Sequence, residues 1–162
     1  MDRKWNVHIL QRMADIDMQR LDWRQAIRVY EQIRTLRPDD EGSRKSLIDL
    51  SLRLGQPAQA AAEIESYLSY LQTSNNSARA VPFIKDLLEE HPDDATLRRS
   101  LAQAYHHAGR VGDAVKELDV LAEAMLDAGK KEDAMVIINQ ILLMNPPNAD
   151  QYRQLLMQLQ GR

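Results

Sequence analysis

The chain has 162 residues, of which 44% are apolar and 28% charged, an ordinary composition for a folded protein. Its formal net charge of −3 weighs against nucleic-acid binding, and the absence of cysteine excludes disulfides and cysteine-based catalysis or metal sites. The longest apolar stretch has about eleven residues and is too short to span a bilayer, so we expect a cytoplasmic chain without membrane insertion.

Apolar residues recur at helical spacing throughout the chain, and prolines and glycines divide it into about nine helices. The predicted helices cover, in order, residues 5–20, 23–36, 41–54, 57–71, 78–90, 95–108, 111–127, 131–144 and 149–160. Pro82 lies inside the fifth segment and predicts a late start for that helix, because proline is tolerated only in the first turn.

Local signals refine these helices. The pairs Asp39-Asp40 and Asp93-Asp94 stand at helix starts, where an aspartate carboxylate is expected to accept backbone N–H bonds, and Gly55 and Gly109 stand where helices end. The run 134–138 is apolar nearly all round, which predicts a helix buried between neighbours.

Two residue types repeat in one register. Three prolines and three alanines each recur every 54 residues, at Pro38, Pro92 and Pro146 and at Ala26, Ala80 and Ala134. Residues 39–92 align with 93–146 without a gap, and the identical pairs include Arg44/Arg98, Gly55/Gly109, Ala60/Ala114 and Glu63/Glu117. The sequence therefore predicts one array, with the end of a first unit at 1–38, units at 39–92 and 93–146, and a terminal helix at 147–162.

The pattern resembles the tetratricopeptide repeat family, whose unit is a helix pair of about 34 residues. The family's small residues, glycine and proline are matched by Ala14, Ala26 and Pro38, by Gly55 and Ala60, and by Ala102, Tyr105, Gly109 and Ala114. Leu21 stands where glycine is usual. Since Ala60 and Ala80, like Ala114 and Ala134, are only 20 residues apart, the fourth and seventh helices are predicted to serve in two overlapping motifs, giving a three-helix unit.

The resemblance implies an all-α, right-handed superhelix of about nine antiparallel helices with a concave, partner-binding groove. Carrying over the family's groove positions gives Lys45, Asp49, Leu52, Arg53, Arg99, Gln103, His106 and His107. The cations among them suit an acidic or phosphorylated peptide, although lysine and arginine on helices are commonly just solvated surface. Where some members clamp a terminal carboxylate, this chain has Gln11, Asp15, Ser46, Thr96 and Ser100, so that clamp is not predicted.

Metal and catalytic sites are not expected. His106 and His107 are adjacent and point about 100° apart on a helix, whereas chelating pairs lie four residues apart. The glycines stand singly and form no phosphate-binding loop, and no strand–turn–helix elbow activates a serine. We expect no cofactor, no metal and no enzymatic activity.

The leading prediction is a protein-interaction scaffold that binds a peptide or helix of a partner. The alternatives are an interaction domain of a larger protein and a module that self-assembles through its ends. The predicted end faces are Trp5, Ile9 and Met13 at one end and Tyr152, Leu155, Leu156 and Leu159 at the other. A third reading, RNA binding by a related helical array, is opposed by the acidic net charge.

Overall fold

A computed structural model describes residues 3–161, with side chains from residue 6 onward. Within this part of the chain there are nine α-helices and no strand, with one 3₁₀ turn at Ser77–Arg79. The helices are α1 (Arg3–Gln19), α2 (Trp23–Leu36), α3 (Glu41–Arg53), α4 (Pro57–Thr73), α5 (Ala80–Glu90), α6 (Ala95–His107), α7 (Val111–Asp127), α8 (Lys131–Leu143) and α9 (Ala149–Leu159). The all-α repeat fold predicted from the sequence is confirmed.

The chain divides into two compact units, Met1–Ser77 and Ala78–Arg162. In the first unit each helix packs on the next, α1 on α2, α2 on α3 and α3 on α4. Val7, Ala14, Val29 and Ile33 form a buried cluster between α1 and α2. Burial of such apolar side chains contributes about 25 cal/mol per Å² removed from water. The predicted joining of all units into a single array stays a prediction.

In the second unit α7 packs against both α6 and α8, which is the double role the overlapping motifs predicted. The remaining neighbours are α5 with α6 and α8 with α9. Small residues permit this close stacking: Ala114 on α7 and Ala134 on α8 are both fully buried. None of the helices described is both long and apolar enough to cross a membrane.

The helix starts follow the predicted signals with one correction. α5 begins late, after the 3₁₀ turn, so that Pro82 falls in its first turn as expected. Asp94 caps α6 by accepting a hydrogen bond of 2.9 Å from the Leu97 N–H. Asp40 makes no such bond to the α3 backbone, because its carboxylate accepts the Ser43 hydroxyl at 2.5 Å instead. Asp40 therefore does not provide the expected cap.

The prediction that the helix with the apolar run lies between neighbours is confirmed, since α8 packs on both α7 and α9, although one side chain of the run is exposed. Ala134, Ile137, Ile138 and Ile141 are buried, but the Val136 side chain is exposed. α8 packs on α7 and α9, and these two neighbours leave one of its faces open.

Leu21 connects α1 to α2 in the left-handed conformation, with φ of 58°. It lies 54 residues before Asn75 and 108 before Gly129, which also have positive φ. A leucine in this conformation costs about 1–2 kcal/mol, and glycine loses about 0.5–1 kcal/mol more backbone entropy on folding. Since the Leu21 side chain is exposed and contributes little packing, Leu21→Gly is expected to raise the free energy of unfolding by about 0.5–1 kcal/mol.

Urea unfolding followed by circular dichroism measures this change. Gly129→Ala is the matched opposite: a Cβ there would have nothing within 4 Å, so only the backbone conformation opposes it. We expect a loss of about 1 kcal/mol for Gly129→Ala. A loss of stability in Leu21→Gly would contradict the backbone explanation and assign a packing role to the leucine.

Candidate functional site

The four predicted groove residues of the first unit lie on α3, and two of them contact each other. The Arg53 Nε donates to the Asp49 Oδ2 at 2.8 Å, one turn apart on the helix. The Lys45 ammonium lies 3.6 Å from a carboxylate oxygen of Glu41, a residue the sequence analysis did not select. Leu52 is half-buried. The cations of this face therefore have carboxylate partners on their own helix.

The four predicted residues of the second unit lie on α6, and all are exposed. Arg99, Gln103 and His106 follow one another at spacings of four and three, so they share a helix face. None of the described residues forms an ion pair or hydrogen bond with the Arg99 guanidinium. The rings of His106 and His107 are 6.2 Å apart and nearly perpendicular, consistent with adjacent side chains that point in different directions.

A repeated ion pair ties each of two helix starts to the following helix, and the sequence analysis missed it. In the first unit, Arg44 on α3 donates to the Glu63 carboxylate on α4 at 2.8 Å and to the Pro38 carbonyl at 3.3 Å. In the second unit, Arg98 on α6 donates to the Glu117 carboxylate on α7 at 2.8 Å and to the Pro92 carbonyl at 2.8 Å. The signal was available, because both pairs are identical at a distance of 54 residues.

The first pair is the more buried of the two. The Arg44 and Glu63 side chains are 4% and 6% exposed, against 23% and 22% for Arg98 and Glu117. Arg44 also donates to the Ser66 hydroxyl at 3.1 Å and lies over the Tyr67 ring at 5.2 Å. Glu63 accepts a second ion pair from Arg34 on α2. A site with its charges already matched in this way is structural.

Among the described residues, four titratable groups outside these helix faces, Tyr30, Arg37, Asp39 and Tyr152, have shifted pKa values, and Asp39 and Tyr152 show the causes. The hydrogen bond from the Arg37 guanidinium lowers the pKa of the Asp39 carboxyl. Burial, followed by the Asp119 carboxylate that accepts the Tyr152 hydroxyl at 2.8 Å, raises the pKa of Tyr152. Both shifts accompany local pairing and mark no cluster of reactive groups.

The predicted end faces are only partly available. Ile9 and Met13 on α1 are exposed, while the Trp5 side chain lies outside the described residues. On α9, Leu155 and Leu159 are half-buried. Tyr152 and Leu156 are buried within the second unit, so their assignment to an exposed end face is corrected: α9 uses them for its own packing.

Comparison with protein-family models agrees with the repeat fold. A family model described as tetratricopeptide repeat matches residues 12–69 and 68–128. None of the curated proteins matches the chain. Similar solved structures include a putative kinesin light chain from Podosopora anserina with nearly identical TPR-like repeats, at 15% identity over 96% of this chain and 93% of that one, with a TM-score of 0.46.

Two further solved structures are similar at the same low level of identity. A tetratricopeptide repeat protein from Parabacteroides merdae is 16% identical over 96% of this chain and 71% of its own, with a TM-score of 0.36. YrrB, a TPR protein with an unusual peptide-binding site, is 12% identical over 87% of this chain and 88% of its own, with a TM-score of 0.33. Because the family model matches more than half of the 162 residues of the chain, the chain belongs to the tetratricopeptide repeat family.

Proposed function

We propose that the chain is a non-catalytic protein-interaction scaffold that binds an acidic peptide or helix of a partner on the exposed face of α6. Membership of the tetratricopeptide repeat family supports the general role. The observation that carries the choice of face is the Arg99 guanidinium, which is exposed and has no ion-pair partner among the described residues.

The repeat itself provides the comparison between the two predicted faces. Lys45 on α3 and Arg99 on α6 occupy equivalent positions, 54 residues apart. On α3 the carboxylates of Glu41 and Asp49 neutralise the neighbouring cations, whereas α6 has Ala95 and Gln103 at those two positions. The α6 face therefore offers a positive charge that a partner can use without displacing an internal carboxylate.

The chemistry of the partner follows from this face. A guanidinium binds carboxylate or phosphate through two parallel N–H···O bonds, a geometry more specific than that of an ammonium group. The Gln103 amide, one turn further along α6, can donate to and accept from a peptide backbone. His106 continues the same exposed face one turn beyond Gln103. We therefore expect a peptide with Asp, Glu or a phosphorylated residue.

The test is selection from a random peptide library on the purified chain, followed by affinity measurement by calorimetry. Selected peptides are expected to be acidic, and Arg99→Glu is expected to weaken their binding about tenfold or more, equivalent to about 1.4 kcal/mol. Lys131→Glu on α8 is the matched control, since it changes the net charge by the same amount at another exposed position. Circular dichroism confirms that both variants are folded.

Two results would contradict the proposal. Peptides without acidic residues would contradict the assigned chemistry. Equal weakening by Arg99→Glu and Lys131→Glu would show that only overall charge matters and that the α6 face is not the site. Binding is also expected to weaken with salt, because exposed charges are screened over about 10 Å at 0.1 M.

A further inference from the structure

A stripe of exposed apolar residues runs along α1. Ile9, Met13 and Ile16 are 51%, 43% and 46% exposed and follow one another at spacings of four and three. Beside the stripe, α1 and α2 enclose a groove of about 460 Å³, lined by Asn6, Ile9, Leu10, Gln32, Thr35 and Leu36. Single exposed apolar residues are ordinary, but an aligned stripe beside a groove indicates a surface that binds another element.

The internal repeat indicates what kind of element this is. α1 lies 54 residues before α4, so Ile9 is equivalent to Glu63 and Met13 to Tyr67. In α4 these positions are buried and contact α3: Glu63 binds Arg44, and the Tyr67 hydroxyl donates to Glu41 at 3.2 Å. The exposed stripe of α1 therefore corresponds to a surface that, in α4, a helix of the α3 type covers.

α9 is the helix whose apolar residues are less buried than the equivalent residues of the other units. It lies 54 residues after α6 and 108 after α3, so Leu155 is equivalent to Leu47 and Leu101. Those two leucines are buried at 3% and 2% exposure, whereas Leu155 is only half-buried. The same holds for Leu159, whose equivalents Ser51 and Tyr105 are buried. α9 thus leaves two leucines partly accessible at positions that are buried in α3 and α6.

Both surfaces lack the charged residues of the repeated ion pair. Arg44–Glu63 and Arg98–Glu117 join the α3-type helix to the next helix inside the two units. The equivalent residues on α9 and α1 are Tyr152 and Ile9. Neither carries a charge, so bringing α9 against α1 in this geometry would leave no orphaned ion at the position where α3–α4 and α6–α7 each need a pair.

We propose that α9 of a second copy docks on the α1–α2 groove of the first, as α3 packs on α4 and α6 on α7. The contact joins two different surfaces, so it is head-to-tail and either closes into a ring or grows into a filament. With one helix and one groove per contact the buried area is small, and we expect a dissociation constant in the range of about 10–100 µM.

Sedimentation velocity and light scattering over about 1 µM to 1 mM test the proposal, with the average mass expected to rise with concentration. Ile9→Glu blocks the groove and Leu155→Glu blocks α9, and each variant alone is expected to stay monomeric. A mixture of the two is expected to form a 1:1 dimer that does not grow, because each variant retains one intact surface. Val136→Glu on α8 is the matched control and is expected to associate like the unmodified chain.

Three outcomes would overturn the proposal. The first is an unmodified chain that stays monomeric throughout the concentration range, which would leave the groove to a segment outside this chain or to another protein. The second is self-association of Leu155→Glu, which would indicate a symmetric contact between α1 stripes. The third is a mixture of the folded variants that remains monomeric.

Discussion

Replacing Arg44 by methionine is expected to lower the free energy of unfolding of the first unit by about 3–5 kcal/mol. Methionine retains the apolar stem of the side chain but removes the guanidinium that binds Glu63, the Pro38 carbonyl and the Ser66 hydroxyl. The Glu63 carboxylate, which is 6% exposed, would keep only its pair with Arg34. Leaving a buried charge partly unmatched costs more than the pair itself contributes.

The second unit provides the control at the equivalent position. Arg98→Met breaks the same contacts, but Arg98 and Glu117 are each more than a fifth exposed, and water replaces the lost partner. We expect a loss of about 1 kcal/mol there. Trp23 lies in the first unit, so tryptophan fluorescence reports unfolding of that unit, while circular dichroism reports both units.

The double variant Arg44→Met/Glu63→Met separates an unmatched charge from lost packing. It removes both buried charges, and the remaining Arg34 is 33% exposed and can be hydrated. Most of the stability lost in Arg44→Met is expected to return. A double variant as unstable as the single one, or equal losses in Arg44→Met and Arg98→Met, would contradict a burial-dependent role for the pair.

The Arg44–Glu63 ion pair is an example of a contact that was not predicted from the sequence. The repeat contains two identical pairs, Arg44/Arg98 and Glu63/Glu117, but charged residues on helices are usually solvated. The arginine and glutamate are also 19 residues apart and lie on different helices, so no spacing within a single helix predicts their contact. Only the packing of α3 on α4 brings them together. The helix boundaries, by contrast, depend on local chemistry at proline and glycine, and they were predicted to within a few residues.

Two finer features can be read directly from the sequence. Asp39-Asp40 and Asp93-Asp94 are identical, but Ser43 follows the first pair where Leu97 follows the second, and the serine hydroxyl competes with the backbone for the Asp40 carboxylate. On the candidate faces, pairs four residues apart on α3 were visible in the sequence and are absent from the equivalent positions of α6. The choice between the α3 and α6 faces depends on these pairs.

Ala134→Leu is expected to destabilise the second unit by about 1–3 kcal/mol, whereas Ala80→Leu is expected to change its stability by about 0.5 kcal/mol or less. The two alanines occupy the same position of the 54-residue register and lie in the same unit. Ala134 is the fourth residue of α8 and is fully buried, and α8 packs between α7 and α9. Three added carbons there have no space and force the neighbouring helices apart.

Ala80 differs because α5 starts late. α8 begins three residues before Ala134, but the three residues before Ala80 form the 3₁₀ turn, so Ala80 is the first residue of its helix and only half-buried. Urea unfolding followed by circular dichroism distinguishes the two variants. Equal losses of stability would mean that both alanines are conserved in the repeat because they pack between helices. The expected difference means that only Ala134 has this role, since Pro82 delays the start of α5 and leaves Ala80 at the first position of its helix.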